Sequence, residues 1–252
     1  MKQGMLVLAL TLPAIGFAAD EVEKRYTRVG DTVTAAPQQQ DGWSGSIAVG
    51  AVVSTGNTET TNLSGDATAK LDGQQWRHKL EASALMAEND STKTAERYLL
   101  GYKADYKLSP KSYLFGALRA EFDKFSGYDQ QLSATAGYGY RLLESVADTL
   151  DLEIGLGMRE NKLDTGDTES ETVGRLAGDY IHRFSKTAEF RQGLLVLSGE
   201  NNTSIDSISA IRANLIASIA MEAALKIKHN SDPIGNKEET DTITSLSLVY
   251  GF

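Results

Sequence analysis

The sequence contains no cysteine at all, and only four prolines in 252 residues. The missing cysteines exclude a disulfide framework, so some other architecture must hold an exported chain together. They also exclude a lipoprotein, which needs a cysteine at its cleavage junction. After the first nineteen residues there is no apolar run long enough to cross a bilayer as a helix. That does not exclude the membrane, because barrel strands place apolar residues on alternate positions and hide them from hydropathy averages. Basic residues are in deficit, 25 Lys and Arg against 34 Asp and Glu for a net charge of −9. Nucleic acid is therefore not an expected partner, since phosphate contacts need clustered Lys and Arg. There is no phosphate loop and no metal-ligand spacing, and no cofactor is expected.

The start of the chain has the pattern of a secretory signal. Lys2 supplies a positive charge, Met5 to Phe17 is apolar, and Gly16-Phe17-Ala18 before Ala19-Asp20 supplies small residues for cleavage. Residues 1–19 are read as the signal peptide. Residues 20–41 are polar, include Gln38-Gln39-Gln40, and have little periodicity, as expected of a flexible periplasmic segment or a plug.

From residue 42 onward the pattern has a period of two. Turn-forming residues interrupt it near Ser54-Thr55-Gly56-Asn57, Asp72-Gly73-Gln74, Glu88 to Ser91, Ser109-Pro110-Lys111, Ser126 to Asp129, Glu144-Ser145, Asp164 to Asp167, Ser185-Lys186, Gly199 to Asn202, Ile219, and Asn230 to Asn236. Eleven breaks imply about twelve strands. The fold expected is all-β, a closed antiparallel up-and-down transmembrane barrel over residues 42–252.

Alternation assigns the faces. Tyr98, Leu100, Tyr102, Ala104 and Tyr106 oppose Arg97, Lys103, Asp105 and Lys107, and Leu152, Ile154, Leu156 and Met158 oppose Asp151, Glu153 and Arg159. A soluble sandwich also alternates, so three further features decide. The strands run to about a dozen residues, which suits a tilted membrane crossing. With the N-terminus in the periplasm, Trp43, Trp76, Tyr106, Tyr140, Tyr180 and Phe190 all fall at the periplasmic rim on the apolar face, the position aromatic side chains take at a bilayer interface. Tyr98 and Phe122 fall at the opposite rim. Finally, Leu246, Leu248, Tyr250 and Phe252 alternate to a terminal Phe, and Tyr250 with Phe252 resembles the signal read by the outer-membrane barrel assembly machinery.

Few residues invite chemistry. His78, His182 and His229 fall outward near the rims. Counting back through a turn near Ile219 places Ser207 and Ser209 beside His229, a nucleophile–base pair in outline without an orienting third group. This is the basis for a lipid-acting enzyme as an alternative to a non-enzymatic barrel. The charged face is the stronger lead. Arg97, Lys103, Asp105, Arg119, Glu121, Arg141, Asp151, Glu153, Arg159, Arg175 and Asp179 are expected to line the lumen, as a narrow channel or as a seal of ion pairs; twelve strands lie between barrels that side chains fill and barrels that leave a pore. No long loop is available to constrict it. The turns at the far rim are acidic (Glu88, Asp90, Asp123, Asp129, Asp164, Asp167, Glu169, Glu171, Asp232, Glu238, Glu239, Asp241), which favours solvation, cation bridging to lipopolysaccharide, or cations at a pore mouth.

The opening Gly42-Trp43-Ser44-Gly45-Ser46, the hairpin Ser54-Thr55-Gly56-Asn57-Thr58-Glu59-Thr60 and the closing Ser247-Leu248-Val249-Tyr250-Gly251-Phe252 resemble the salt-induced outer-membrane protein family across residues 42 to 252. The resemblance implies an uncharacterised bacterial outer-membrane barrel whose expression is linked to salt, and brings no catalytic residues with it. The functional expectation is a narrow channel or envelope-stabilising barrel in osmotic adaptation, with a plugged, partner-binding barrel as the other alternative. Expected partners are outer-membrane lipid and lipopolysaccharide, the barrel assembly machinery and periplasmic chaperones.

Overall fold

The computed structural model describes residues 42–54, 60–89, 92–123, 128–216, 218–234 and 238–252. The readings for residues 1–19 and 20–41, and for Asp90, lie outside them. The described residues form twelve strands: β1 (Gly42–Ser54), β2 (Thr60–Asp72), β3 (Trp76–Asn89), β4 (Thr92–Lys107), β5 (Ser112–Asp123), β6 (Tyr128–Glu144), β7 (Asp148–Leu163), β8 (Thr168–Arg183), β9 (Ala188–Ser198), β10 (Thr203–Ile216), β11 (Ile219–Asn230) and β12 (Thr240–Gly251). Each pairs antiparallel with its sequence neighbours, and β1 pairs with β12 to close the barrel. Closure satisfies the backbone without an open sheet, which is the condition for spanning hydrocarbon with strands.

The alternation in sequence becomes two surfaces. On β7, Ile154, Leu156 and Met158 point outward and are 65%, 70% and 63% exposed, while Glu153 and Arg159 on the other face are 4% and 2% exposed. Register fixes this assignment, because a slip of one residue would turn the charges outward at about 2–4 kcal/mol each at mid-depth. Leu80, Leu100, Leu118, Leu176 and Leu248 continue the outward apolar belt around the wall.

The rim where β1 begins and β12 ends, the terminal rim, carries most of the aromatics. Trp76 and Tyr106 face each other across β3 and β4 with ring centroids 5.0 Å apart. Tyr180 meets Phe190 edge-on at 6.5 Å, and Trp43 and Tyr140 are exposed on the same face. His78 stacks between Trp76 and Tyr102, and His182 stacks on Tyr180 and meets Phe184 edge-on. Tyr98 and Phe122 pair at the opposite, distal rim. The final residue completes the closing seam: the Gly45 N–H donates to the Phe252 carbonyl (2.8 Å) and the Phe252 N–H to the Gly45 carbonyl (3.0 Å). The Phe252 ring covers Gly45, where a Cβ would collide with it.

Candidate functional site: the lumen

The inward faces bring charged side chains from opposite walls together. Arg97 (β4) and Arg119 (β5) both reach across to Asp206 on β10, at 3.2 and 2.8 Å. The same two arginines hold Glu121 at 2.8 and 3.0 Å. Lys228, from β11, reaches Glu121 from the opposite wall and lies 3.8 Å from Asp123. A second bridge joins Lys103 (β4) to Glu153 (β7), which also accepts from Arg175 at 2.9 Å and from the Tyr113 hydroxyl at 3.0 Å. Contacts between strands so far apart in the ring exist only through the lumen.

Other pairs stay along the wall. Arg77 meets Asp105 at 2.6 Å, Arg141 grips Asp151 with two hydrogen bonds of 2.8 and 3.1 Å, and Arg212 meets Glu222 at 2.7 Å. Asp179 is exposed to the lumen cavity and makes no hydrogen bond or ion pair among the described residues.

Several interior residues were not singled out by sequence. Tyr113 and Phe115 are buried inside the barrel, with Arg77 4.9 Å from the Tyr113 ring centre and Arg175 5.1 Å from that of Phe115. Glycines opposite give them room, for a Cβ at Gly139 would strike the Tyr113 ring and one at Gly155 would crowd Phe115. The signal was available, since both aromatics alternate in phase with Arg119 and Glu121. Leu85, Leu99, Leu195, Ile208 and Ile243 likewise turn inward and line a cavity of about 290 Å³ beside the charged bridges.

Two expectations need correction. β10 ends at Ile216 and β11 begins at Ile219, with a register irregularity between Asn214 and Ile216, so His229 pairs with Ile205 and not with a serine. Its Nδ1 lies 2.9 Å from Thr240 Oγ1, while Ser207 and Ser209 are hydrogen-bonded to Gln192. The Ser–His pair is not formed. Second, the acidic distal turns are not uniformly solvated. Glu171 is 7% exposed and is held by Arg159 at 2.6 Å and by the Asn201 N–H at 2.9 Å; Asp123 is 8% exposed beside Lys228. The four-residue turn after β9 folds against the inner wall, where Arg159 donates to the Asn202 carbonyl and Asn202 Nδ2 donates to Asn230 Oδ1 at 3.2 Å. The Asp232 N–H and the Ser231 hydroxyl both donate to Asn202 Oδ1 at 3.3 Å. Asn161 and Asn202 are each 1% exposed. Short polar side chains close this sector because each finds several partners.

The chain is similar over 207 residues to the "Uncharacterized protein YdiY" of Escherichia coli (strain K12), with 28% identity and 82% of each chain covered. Among solved structures it is similar to the NanC porin, with 10% identity, TM-score 0.49, and 82% of this chain and 97% of that one covered. The translocator domain of autotransporter NalP from Neisseria meningitidis gives 14% identity, TM-score 0.46 and coverage of 93% and 95%. The KdgM porin gives 9%, 0.45, and 82% and 99%. Residues 47–252 match the family described as "Protein of unknown function, DUF481", and the chain belongs to that family.

Proposed function

We propose that the protein is an integral outer-membrane barrel of a Gram-negative bacterium, non-enzymatic, closed to free diffusion, and serving to stabilise the envelope. The observation that carries this reading is the set of ion pairs crossing the lumen, Lys103–Glu153, Arg97–Asp206–Arg119 and Lys228–Glu121. Removing one partner of a buried pair strands a charge at a cost of about 3–5 kcal/mol, so such bridges do not part readily. The apolar belt and aromatic rims support the bilayer setting. The terminal rim faces the periplasm in this reading, and Tyr250 and Phe252 are the residues the assembly machinery would grip after delivery by periplasmic chaperones. The exposed acidic turns would meet lipopolysaccharide through divalent cations.

A second reading, a narrow channel, is favoured by the cavity of about 290 Å³. It connects to osmotic adaptation through electrolyte screening, since the Debye length falls from about 10 Å at 0.1 M to 3 Å at 1 M and the less buried bridges weaken accordingly. Single-channel recording in planar bilayers tests both. A flat baseline at 0.1 M KCl is expected, and small openings appearing only at 1 M would favour the channel. Steady conductance at 0.1 M would refute the closed barrel.

A further inference from the structure

We propose that the lumen cavity is a binding site for a linear aliphatic polyamine, whose terminal ammonium groups are taken up by Asp179 and Asp241. The site requires the folded barrel with its bridged interior, and it stands whether or not that barrel is sealed to ions.

Seven basic side chains line the cavity, and each is already held by a carboxylate. Lys79 lies 2.5 Å from Glu81 and Lys226 2.7 Å from Asp66. Arg97 and Arg119 share Asp206 and Glu121, Lys103 and Arg175 share Glu153, and Lys228 is taken by Glu121. Six carboxylates stand on the same lining, and these pairs use four of them. The other two, Asp179 and Asp241, are exposed and make no hydrogen bond or ion pair among the described residues. Neither finds a counter-charge in register. Asp179 faces Gly193 on β9 and Asp151 on β7, and Asp151 is held by Arg141. Its Oδ1 lies 3.6 Å from where a Cβ would stand on Gly193, so no side chain covers it from that strand. Asp241 faces Lys228 on β11, but the Lys228 ammonium is drawn away to Glu121. The lining thus offers unpaired negative charge and no unpaired positive charge. An anion would have to break an existing pair to bind, whereas a cation meets carboxylates that lack one, inside a wall that weakens the competition from water.

Charge alone would admit any cation, and the rest of the lining narrows the choice. Asp179 stands one residue inside Tyr180 of the terminal rim, and Asp241 nine residues inside Tyr250, next to the distal start of β12. At an axial rise of about 2.4 Å per residue in strands tilted by about 45°, the two lie on the order of 15 to 20 Å apart along the barrel. Between them the cavity is faced by Leu85 and Leu99 on one wall and by Leu195 and Ile208 on the other. Ile208 is 37% exposed although it points inward. A hydrated metal ion meets one carboxylate at a time and leaves that apolar surface bare. A linear polyamine carries ammonium groups at both ends and methylenes between them, which answers both features. A volume of about 290 Å³ accepts one such chain.

The test titrates spermine into the full chain in phosphatidylcholine nanodiscs, where both mouths of the barrel meet solvent and the lipid carries no net charge. Isothermal titration calorimetry in 0.1 M KCl is expected to show one spermine bound per barrel. Asp179→Asn and Asp241→Asn are each expected to weaken binding by about tenfold, the worth of one hydrogen bond between charged groups. Asp164→Asn, in an exposed turn, is expected to leave it unchanged. Neither cavity carboxylate holds a partner, so neither substitution should lower the urea midpoint. Should one of them fail to fold, the parent protein carries the test alone: spermine is expected to raise its urea midpoint, and Mg²⁺ at the same concentration is not. 1,4-Diaminobutane, too short to reach both carboxylates, is expected to bind at least tenfold more weakly than spermine. No binding, no rise in the parent's midpoint, or binding as sensitive to Asp164→Asn as to the cavity variants overturns the site. Mg²⁺ or the short diamine binding as tightly as spermine overturns the polyamine as its ligand. Stoichiometric spermine binding by a barrel that conducts steadily at 0.1 M KCl would refute the sealed barrel and uphold the site.

Discussion

Replacing Glu121 with alanine strikes the centre of the lumen network. Glu121 is 4% exposed and receives three cations, Arg97, Arg119 and Lys228. Without it, Lys228 retains Asp123 at 3.8 Å, and the two arginines are left sharing Asp206. Removing one partner of a buried pair costs about 3–5 kcal/mol, and the surviving acids place this case near 3. At about 1.4 kcal/mol per tenfold, that is a loss of roughly two orders of magnitude in the folding equilibrium constant. Urea titration in lipid vesicles, with intrinsic tryptophan fluorescence as the signal, reads it directly. With a slope of about 3 kcal/mol per molar urea, the midpoint falls by about 1 M. The paired replacement Glu121→Ala/Lys228→Met, which removes both charges, is expected to recover much of the shift. An unchanged midpoint for Glu121→Ala, or a double variant no better than the single, would refute the claim that these charges hold one another in place.

Other substitutions probe the remaining layers. Leu156→Arg places a charge on the 70% exposed outer face of β7, costing about 2–4 kcal/mol at mid-depth, so the folded, heat-modifiable band on gels should fall sharply; an unaffected yield would remove this face from the bilayer. Gly139→Val drives a side chain into the Tyr113 ring and displaces its hydroxyl from Glu153. Overpacking of this kind costs about 1–3 kcal/mol, read as a lower urea midpoint. Arg159→Met leaves Glu171 without its guanidinium and frees the Asn202 carbonyl. Limited proteolysis should then cut at 199–202, a turn that stays protected in the parent protein.

The outer wall was the legible part of this molecule. Alternation together with the turn residues placed every strand break, because hairpin chemistry is local and the face of a strand follows from counting by two. Ile219 is the instructive exception. No glycine or proline marks that break, β11 already begins at Ile219, and β10 pairs with it through a register irregularity between Asn214 and Ile216 that local pattern does not encode. That difference was enough to move His229 away from Ser207 and onto Ile205 and Thr240. A catalytic proposal that depends on cross-strand register is only as sound as the nearest turn.

The lumen was legible in its faces but not in its partners. That Arg97, Arg119 and Glu121 turn inward follows from alternation; that Asp206, eighty-seven positions beyond Arg119, completes the bridge follows only from closure of the ring. The same holds for Lys226 and Asp66, separated by 160 positions yet brought across the seam by the pairing of the first strand with the last. Closing the barrel therefore does more than remove an edge. It decides which inward charges neutralise one another, and so a wall whose faces follow from sequence can enclose a bridged interior or an open one. The inward leucines mark the difference here: Leu85 and Leu99 on one wall and Leu195 on the wall opposite interrupt the charged pattern, and the bridges share the cavity with them instead of filling it.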